Sequence, residues 1–346
     1  EENKRIEPPE VKPRPKSKSM GLWVIGIGVL LLLLISFAFN LIFFLGMATG
    51  GGVSVTSGSR AVDEFPQFTE KWSYGSGETK VVRIAVQGVI ARDSSGGFFA
   101  SSEDKIQSIL KQIRFAANDP EVKGLIVEVD SPGGAITPSD EIYHALKEFK
   151  KDDAGRKVLA FTKDLSASGG YYVSMAADRI MAEPTAIIGS IGVIMQSFNF
   201  AGLSEKIGVT DTTIKSGENK DLLNPFREAS SNQVELLQVM VDEMYERFLG
   251  IVKEGRGMSD EKARPLADGR VFSAETAQKE GLIDELGYWD DAVAAMGKLL
   301  GTPTLRIVRY TRPAGFMDLL GEIKVSDGLQ SLLEPDAPKV MTIWRP

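Results

Sequence analysis

The sequence predicts an α/β fold in which a largely parallel sheet packs against helices, preceded by one N-terminal transmembrane helix. Short segments rich in β-branched residues alternate with segments whose apolar residues recur at helical spacing, which is typical of parallel strands joined by helices. Residues 21–48 carry no charged side chain, and a membrane span needs ~20 apolar residues. Apolar residues make up 43% of the chain and charged residues 25%, as in proteins that bury a core.

The N-terminal segment has the charge pattern of a signal anchor. The basic residues before the apolar stretch are Lys4, Arg5, Lys12, Arg14, Lys16 and Lys18. After it, the first basic residue is Arg60. Because positively charged flanks stay in the cytoplasm, we expect residues 1–20 to be cytoplasmic, residues 21–48 to cross the membrane once, and the following residues to be extracytoplasmic. The small residues around Met47 leave later cleavage of the anchor open.

The exported part divides into a linker at 49–79, a domain at 80–310 and a C-terminal extension at 311–346. The linker begins with glycine and serine residues that have little to pack. Within the extension, residues 340–344 are apolar and suited to an extended backbone. These residues either pack as a tail on their own domain, add a strand, or lie in a groove.

The predicted elements of the domain alternate in type. Strands are expected at 80–90, 124–130, 157–162 and 209–215. Helical spacing is carried by three sets of apolar residues: Ile106, Ile109, Leu110 and Ile113; Ile142, Ala145, Leu146 and Phe149; and Val234, Leu237, Val241, Met244, Phe248 and Ile251. The second helix is predicted to begin with Thr137 as its N-cap and Pro138 as its first helical residue.

The chain has no cysteine and one histidine, His144. Thiolate zinc sites, iron–sulfur clusters, disulfides and cysteine catalysis are therefore excluded. The net charge of −7 gives no support to nucleic-acid binding, which needs a basic surface. His144 lies off the apolar stripe of its helix, so we expect it on a solvated face and not in a catalytic triad.

Residues 165–172, LSASGGYY, place Ser168 directly before two glycines. A predicted strand precedes this serine and a helix-like run follows it, so free N–H groups at a helix N-terminus would stabilise developing negative charge. If Ser168 is a nucleophile it needs a base, and with histidine disfavoured and cysteine absent that base is a lysine. The alternative interpretation is that the serine and its glycines serve only close packing.

Residues 130–134, DSPGG, end another predicted strand, at the position where open α/β sheets bind ligands. Their N–H groups suit an oxyanion hole, although an ordinary turn has the same composition. Further small-residue segments follow at 189–193 and 216–221, and the latter contains Lys220. A lysine base needs its pKa lowered by about 3 units from ~10.4, which burial achieves. Spacing alone does not distinguish Lys220 from Lys215.

The segments DSPGG, ASGGYY, GSIGVIM and IKSGENKD, followed by ADGRVFSAETAQKEGLIDELG, closely resemble the bacterial signal peptide peptidase A family (the SppA type). The resemblance covers residues 81–287. It implies a Ser-Lys peptidase of the ClpP/crotonase-like fold, built from repeated ββα units, in the bacterial cytoplasmic membrane. Its expected substrates are remnant signal peptides, with other membrane-associated peptides as a wider class.

By this resemblance, Ser168 is the nucleophile, Lys220 is the general base, and Ser190 orients the lysine. Gly134 and Gly169 supply the oxyanion N–H groups. The implied reaction passes through an acyl-enzyme and uses no metal or cofactor. The chain length matches the short form of the family, which assembles into rings in which serine and lysine can come from neighbouring protomers. The expected partners are therefore peptides, the membrane through residues 21–48, and further copies of the chain.

Two other interpretations remain open at this point. A crotonase-type acyl-CoA enzyme also uses paired glycine N–H groups, but it has no need of Ser168 with Lys220, and acyl-CoA is not expected outside the cytoplasm. A membrane scaffold that captures peptides without cutting them is the second alternative.

Overall fold

The computed structural model describes residues 19–48, 66–92, 104–153, 155–311 and 341–343. The chain separates into two units, Glu1–Ser59 and Arg60–Pro346. The predicted cytoplasmic segment up to residue 18, the linker up to residue 65 and most of the C-terminal extension lie outside the described residues.

The first unit contains helix α1, Ser19–Ala48. The side chains described for this helix are exposed, among them Leu32 (68%) and Phe37 (67%). No helix among the described residues is long and apolar enough to cross a membrane. The predicted span at 21–48 therefore stays a prediction.

The second unit is built on a mixed sheet. Its strands are β1 Thr69–Tyr74, β2 Thr79–Gln87, β3 Val122–Ser131, β5 Lys157–Ala167, β6 Arg179–Ala182, β7 Ile187–Gly189, β8 Val271–Ser273, β9 Glu285–Leu286 and β10 Leu305–Thr311. They run in the order β1-β10-β2-β3-β5-β6-β9, with β7 pairing both β5 and β8. Pairing is parallel from β10 to β9 and antiparallel at β1–β10 and β7–β8. A second, two-stranded sheet joins β4, Gly133–Ala135, to β11, Met341–Ile343.

Helices pack on both faces of the sheet, and further helices lie beyond it. They are α2 Lys105–Asn118, α3 Ile136–Asp152, α4 Gly169–Ser174, α5 Ala201–Ile207, α6 Ser231–Arg256, α7 Asp260–Ala263, α8 Ala274–Glu280 and α9 Trp289–Leu300. Because side chains alternate along a strand, Val127 of β3 packs with α2 and α3 on one face, whereas Ile126 packs with α9 on the other. A third cluster joins Tyr171 and Phe248 beside the ends of β6 and β7. The predicted α/β class with largely parallel pairing is confirmed.

Three details of the predicted elements were wrong. Helix α3 begins at Ile136 with Ala135 as its N-cap, and not at Thr137, because the backbone of Ala135 is held in the paired strand β4. Strand β5 continues past Thr162 to Ala167, because its second half finds a new partner in β7. Residues 209–215 form no strand, since no sheet edge of the described chain pairs with them.

A half-buried ion pair between Arg256 and Asp284 closes the end of the domain near β6. Asp284 accepts hydrogen bonds from Arg256 Nη2 (2.7 Å) and from the backbone N–H of Ile180 (2.7 Å), and Arg256 Nε donates to the Gly281 carbonyl (2.8 Å). Burial by itself would raise the pKa of Asp284, but the hydrogen bonds from Arg256 and Ile180 outweigh it, and the pKa lies below its ordinary value.

A lowered folded-state pKa means that ionised Asp284 contributes to stability above pH ~4 and that this contribution is lost as the pH falls through the folded-state pKa. We therefore expect Asp284→Asn to lower the free energy of unfolding by about 2–3 kcal/mol at pH 7, because Arg256 stays charged and loses its partner. The difference from wild type should shrink below pH 4. Thermal unfolding followed by circular dichroism checks this, with the exposed Asp242→Asn as control; equal stability of Asp284→Asn and wild type at pH 7 would contradict it.

Candidate active site

Ser168 lies at the turn between β5 and α4, at the carboxyl edge of the sheet. Its backbone φ of 53° is in the left-handed region that serine rarely adopts. The Ser168 N–H donates to the Gly189 carbonyl (2.7 Å), and the Ser168 carbonyl accepts from the Tyr172 N–H (2.9 Å). A serine held in such a conformation on a strand-to-helix turn is the arrangement that presents a nucleophile. Gly169 is the first residue of the helix that follows, where an N–H has no partner within the helix.

Ser190 directly follows β7, the strand that pairs with the end of β5 before Ser168. Strand β7 pairs with β5, with Ala167 opposite Gly189, so the two serines follow the last paired residues of neighbouring parallel strands. Ser190 also has a positive φ, 51°, and its N–H donates to the Arg270 carbonyl (2.8 Å). The structure therefore brings together the predicted nucleophile and the residue predicted to orient its base.

The DSPGG segment forms a loop and the first part of strand β4 beside this turn. Ile90 bridges to Gly134 on one edge of β4, and a Cβ added at Gly134 would lie 2.1 Å from the Ile90 carbonyl oxygen. Gly170 of α4 approaches the same loop, because a Cβ there would lie 2.8 Å from the Ser131 carbonyl oxygen. Only glycine permits these approaches. The predicted oxyanion glycine and the nucleophile helix are thus held in direct proximity.

Ser131 is a residue whose role the sequence analysis missed. It is completely buried, its hydroxyl donates to the Gly88 carbonyl (2.7 Å), and the hydroxyl oxygen accepts from the Gly133 N–H (3.0 Å). These two bonds fix the loop that leads into β4. The DSPGG motif contains Ser131 and Gly133, so the bond between them is local. The bond to Gly88 joins residues 43 positions apart, and the motif gives no indication of it.

The nucleophile helix α4 is anchored by a polar network that the sequence also did not reveal. The buried Tyr172 donates its hydroxyl hydrogen to Asp140 Oδ1 (2.6 Å), which also accepts from Arg247 Nη2 (2.6 Å). Burial, followed by the hydrogen bond to Asp140, raises the pKa of Tyr172, so this hydroxyl stays a donor. The network ties α4 to α3 and α6.

Lys220 is exposed, in a short 3-10 turn at Glu218–Asp221. Within the described part of the chain, no hydrogen bond or ion pair joins its side chain to Ser168, Ser190 or any acidic residue. Lys215, by contrast, donates to Asp221 Oδ1 (2.7 Å) and to the Glu218 carbonyl (2.9 Å). In a single chain the Lys215 amine thus stabilises the turn through these two bonds, whereas the Lys220 side chain is exposed to solvent.

The segment that carries Lys220 is unusually apolar on its surface. We call residues 193–240 the arm. Its exposed apolar side chains are Ile194, Phe198, Phe200, Leu203, Ile207, Val209, Ile214, Phe226, Val234, Leu236, Val239 and Met240, with Ile214 97% exposed. Of the apolar stripe predicted for α6, only Phe248 and Ile251 are buried; Leu249 and Val252, which were not predicted, are buried beside them. So many exposed apolar side chains within one segment are typical of an interaction site.

His144 is exposed on α3, as predicted. Its solvated position agrees with the expectation that the base of this site is not a histidine.

The chain is similar in sequence to known peptidases. A model for "Peptidase family S49" matches residues 150–302. The chain is 37% identical over 236 residues to a protein of Enterococcus faecium named "Putative signal peptide peptidase SppA", covering 68% of each chain. It is 33% identical over 231 residues to "Protease 4" of Salmonella typhi, covering 66% of this chain and 36% of that protein. A ClpP1 variant of Listeria monocytogenes is a solved structure with a TM-score of 0.40 and 17% identity, covering 61% of this chain and 94% of its own.

Proposed function

The chain belongs to peptidase family S49 and is a serine peptidase, and from this premise we propose that it is a membrane-anchored endopeptidase in which Ser168 and Lys220 form the catalytic dyad. The substrates we propose are remnant signal peptides and other membrane-associated peptides, on a ClpP/crotonase-like fold. The observation that carries the proposal is Ser168 itself. Its positive φ at a strand-to-helix turn, beside Ser190 and against the DSPGG loop, suits a nucleophile.

In the proposed mechanism the neutral Lys220 amine accepts the proton of the Ser168 hydroxyl as Oγ attacks the scissile carbonyl carbon. The resulting oxyanion accepts hydrogen bonds from the N–H groups of Gly134 and Gly169, and each such donor contributes ~10²–10³-fold in rate. The lysine then gives its proton to the leaving amine, and the acyl-enzyme forms. A water molecule, deprotonated by the same lysine, hydrolyses the ester and restores Ser168. Ser190 is proposed to orient the lysine through its hydroxyl.

In the proposed homo-oligomer, Lys220 of one copy reaches Ser168 of a neighbouring copy. Three observations on the arm support it: Lys220 is exposed, its apolar neighbours are exposed, and the β-branched residues 209–215 have no partner strand among the residues that the structure describes. Such a contact is heterologous, and heterologous contacts form a ring when the rotation between neighbouring copies closes. Covering Lys220 by a neighbour would also remove it from water, which is the condition that a lysine base requires.

In the proposed arrangement the peptidase domain lies outside the cytoplasm. Residues 21–48 of the chain anchor it in the bacterial cytoplasmic membrane. It is supported by the uncharged sequence of this stretch, the basic residues before it, and the exposed apolar side chains described for α1. A membrane location would bring the site to the peptides that remain in the bilayer after export.

Labelling with a serine-directed fluorophosphonate tests the proposed function. We expect mass spectrometry of the assembled wild-type chain to find one adduct on Ser168. The adduct should be absent in Lys220→Ala, because an unactivated serine does not react, and present in Lys279→Ala, which removes an exposed lysine of α8. Absence of the adduct in the assembled wild type would favour a scaffold that captures peptides without cutting them.

A further inference from the structure

Ser168 has a backbone conformation that its surroundings must maintain. Its φ of 53° and ψ of −118° are those of a turn residue that is usually glycine. A serine keeps such a conformation only when the structure around it fixes the backbone. On the strand side the Ser168 N–H donates to the Gly189 carbonyl (2.7 Å), and on the helix side the Ser168 carbonyl accepts from the Tyr172 N–H (2.9 Å). The position of Tyr172 therefore bears directly on the nucleophile.

Helix α4 does not hold Tyr172 in place by itself. It has six residues, and isolated helices shorter than ~12–15 residues are marginal. The Tyr172 ring is completely buried and packs against Phe248 (4.9 Å between ring centroids) and Tyr143 (5.6 Å). Apolar packing is non-directional, whereas a hydrogen bond requires both a distance and an angle. The bond made by the Tyr172 hydroxyl therefore fixes the ring more closely than its packing does.

One carboxylate oxygen joins Tyr172 to the helix that begins in the arm. Asp140 Oδ1 of α3 accepts hydrogen bonds from the Tyr172 hydroxyl (2.6 Å) and from Arg247 Nη2 of α6 (2.6 Å). Arg247 directly precedes Phe248, the first buried residue of α6, and the residues of α6 before it are all at least partly exposed. The two bonds thus connect α4, α3 and α6 at the point where α6 enters the core.

This network is better suited to orientation than to stability. The side chain of Arg247 is 58% exposed and that of Asp140 is 33% exposed, and ion pairs open to solvent contribute little to folding. Hydrogen bonds from a charged donor are nevertheless short and well directed. Arg247 therefore restricts the rotation of the carboxylate, so that Oδ1 faces Tyr172. Loss of these bonds should change the geometry of α4 more than the stability of the domain.

We propose that Asp140, Tyr172 and Arg247 are positioning residues for the nucleophile: they hold α4 so that the Ser168 hydroxyl lies where it can attack the scissile carbonyl. This inference rests on the proposed function and adds to it three residues that touch neither the substrate nor the reacting atoms. The network and the serine belong to the same copy of the chain. It therefore acts on the serine of its own copy and not on the lysine that this copy offers to a neighbour.

Tyr172→Phe tests the proposal, because phenylalanine keeps the ring and removes only the hydroxyl. For a fluorogenic peptide and the assembled full chain, we expect kcat to fall ~10–100-fold with KM within about twofold of wild type, because small misplacements of a reacting group are costly. Asp140→Leu should have the same effect. Asp140→Asn should retain most of kcat, because the amide oxygen still accepts hydrogen bonds.

The control is Tyr143→Phe, which removes the hydroxyl of the tyrosine that packs on Tyr172 and should keep wild-type kcat. Wild-type kcat in both Tyr172→Phe and Asp140→Leu overturns the proposal. So does a loss of kcat in Asp140→Asn as large as that in Asp140→Leu, since the hydrogen bonds would then have no part in the effect.

Mixed assemblies show on which copy the network acts. Tyr172→Phe is placed either in a Lys220→Ala copy, which offers only its serine, or in a Ser168→Ala copy, which offers only its lysine. Each is coexpressed with the complementary single variant. We expect the first mixture to be ~10–100-fold less active than the mixture without Tyr172→Phe, and the second to be unchanged. Equal losses in the two mixtures would indicate a general structural role and overturn the proposal.

Hydrogen exchange followed by mass spectrometry separates this proposal from the proposed function. We expect Tyr172→Phe to speed exchange in a peptide spanning residues 168–175 about tenfold, because the Tyr172 N–H is bonded to the Ser168 carbonyl, and to leave α9 unchanged. This result supports the network even if no form of the chain hydrolyses peptides. Unchanged exchange at 168–175, or equally faster exchange in α9, overturns the proposal. Absence of hydrolysis and labelling in every form, wild type included, overturns only the proposed function.

Discussion

Replacing Ser168 with alanine is expected to lower kcat/KM for a peptide substrate by ~10⁴–10⁶-fold, and Lys220→Ala is expected to have an effect of similar size. The physical reason is that the two groups act as one unit. Without the hydroxyl no acyl-enzyme forms, and without the lysine nothing accepts the hydroxyl proton. Steady-state hydrolysis of a fluorogenic peptide by the assembled full chain measures both variants. The double variant should lose little beyond either single variant.

The controls for this prediction are two other lysines. Lys279→Ala removes an exposed lysine of α8 and should keep wild-type activity. Lys215→Ala loosens the turn at Glu218–Asp221, because it removes the ion pair with Asp221, and should reduce activity less than Lys220→Ala. Full activity in Lys220→Ala together with an inactive Lys215→Ala would transfer the role of base to Lys215.

Mixing two inactive variants is expected to restore activity. In an assembly where Lys220 of one copy serves Ser168 of the next, a Lys220→Ala copy still offers its serine and a Ser168→Ala copy still offers its lysine. Random assembly from equal amounts pairs an intact serine with an intact neighbouring lysine at about a quarter of the sites. Coexpression of the two variants, purification of the mixed assembly and peptide hydrolysis should therefore give about a quarter of wild-type kcat. The mixed assembly would thus have activity that neither variant has alone.

The control for complementation is coexpression of each single variant with the double variant Ser168→Ala, Lys220→Ala. Neither of these mixtures contains both intact groups, so neither should hydrolyse the peptide. If the mixture of single variants is as inactive as these controls although mass spectrometry finds mixed assemblies, the dyad lies within one copy and the arm has another purpose.

The sequence predicted most of what positions the nucleophile. The β-branched segments at 80–90 and 124–130 became β2 and β3, and the helical stripes beginning at Ile106 and Ile142 became α2 and α3. Ser168 was expected between a strand and a helix, and it lies there. These features follow from local periodicity and from glycine spacing, both of which a single sequence contains.

Other features required the fold, because they join residues that are distant along the chain. The hydroxyl of Ser131 needs Gly88, and Tyr172 needs Asp140 and Arg247. Residues 209–215 have the composition of a strand, yet a strand needs a partner edge, and the described chain offers none. Local propensity cannot say whether a partner exists.

By itself, then, the sequence determined the α/β class, the solvated His144 and the identity of the serine at the strand-to-helix turn, because each depends on neighbours within a few turns of chain. Tertiary structure decided which glycine and serine segments meet at one edge, that Lys220 is exposed whereas Ser168 is buried, and that the segment at Thr342 pairs with β4. These outcomes depend on strand pairing and burial over long sequence separations, which no local pattern specifies.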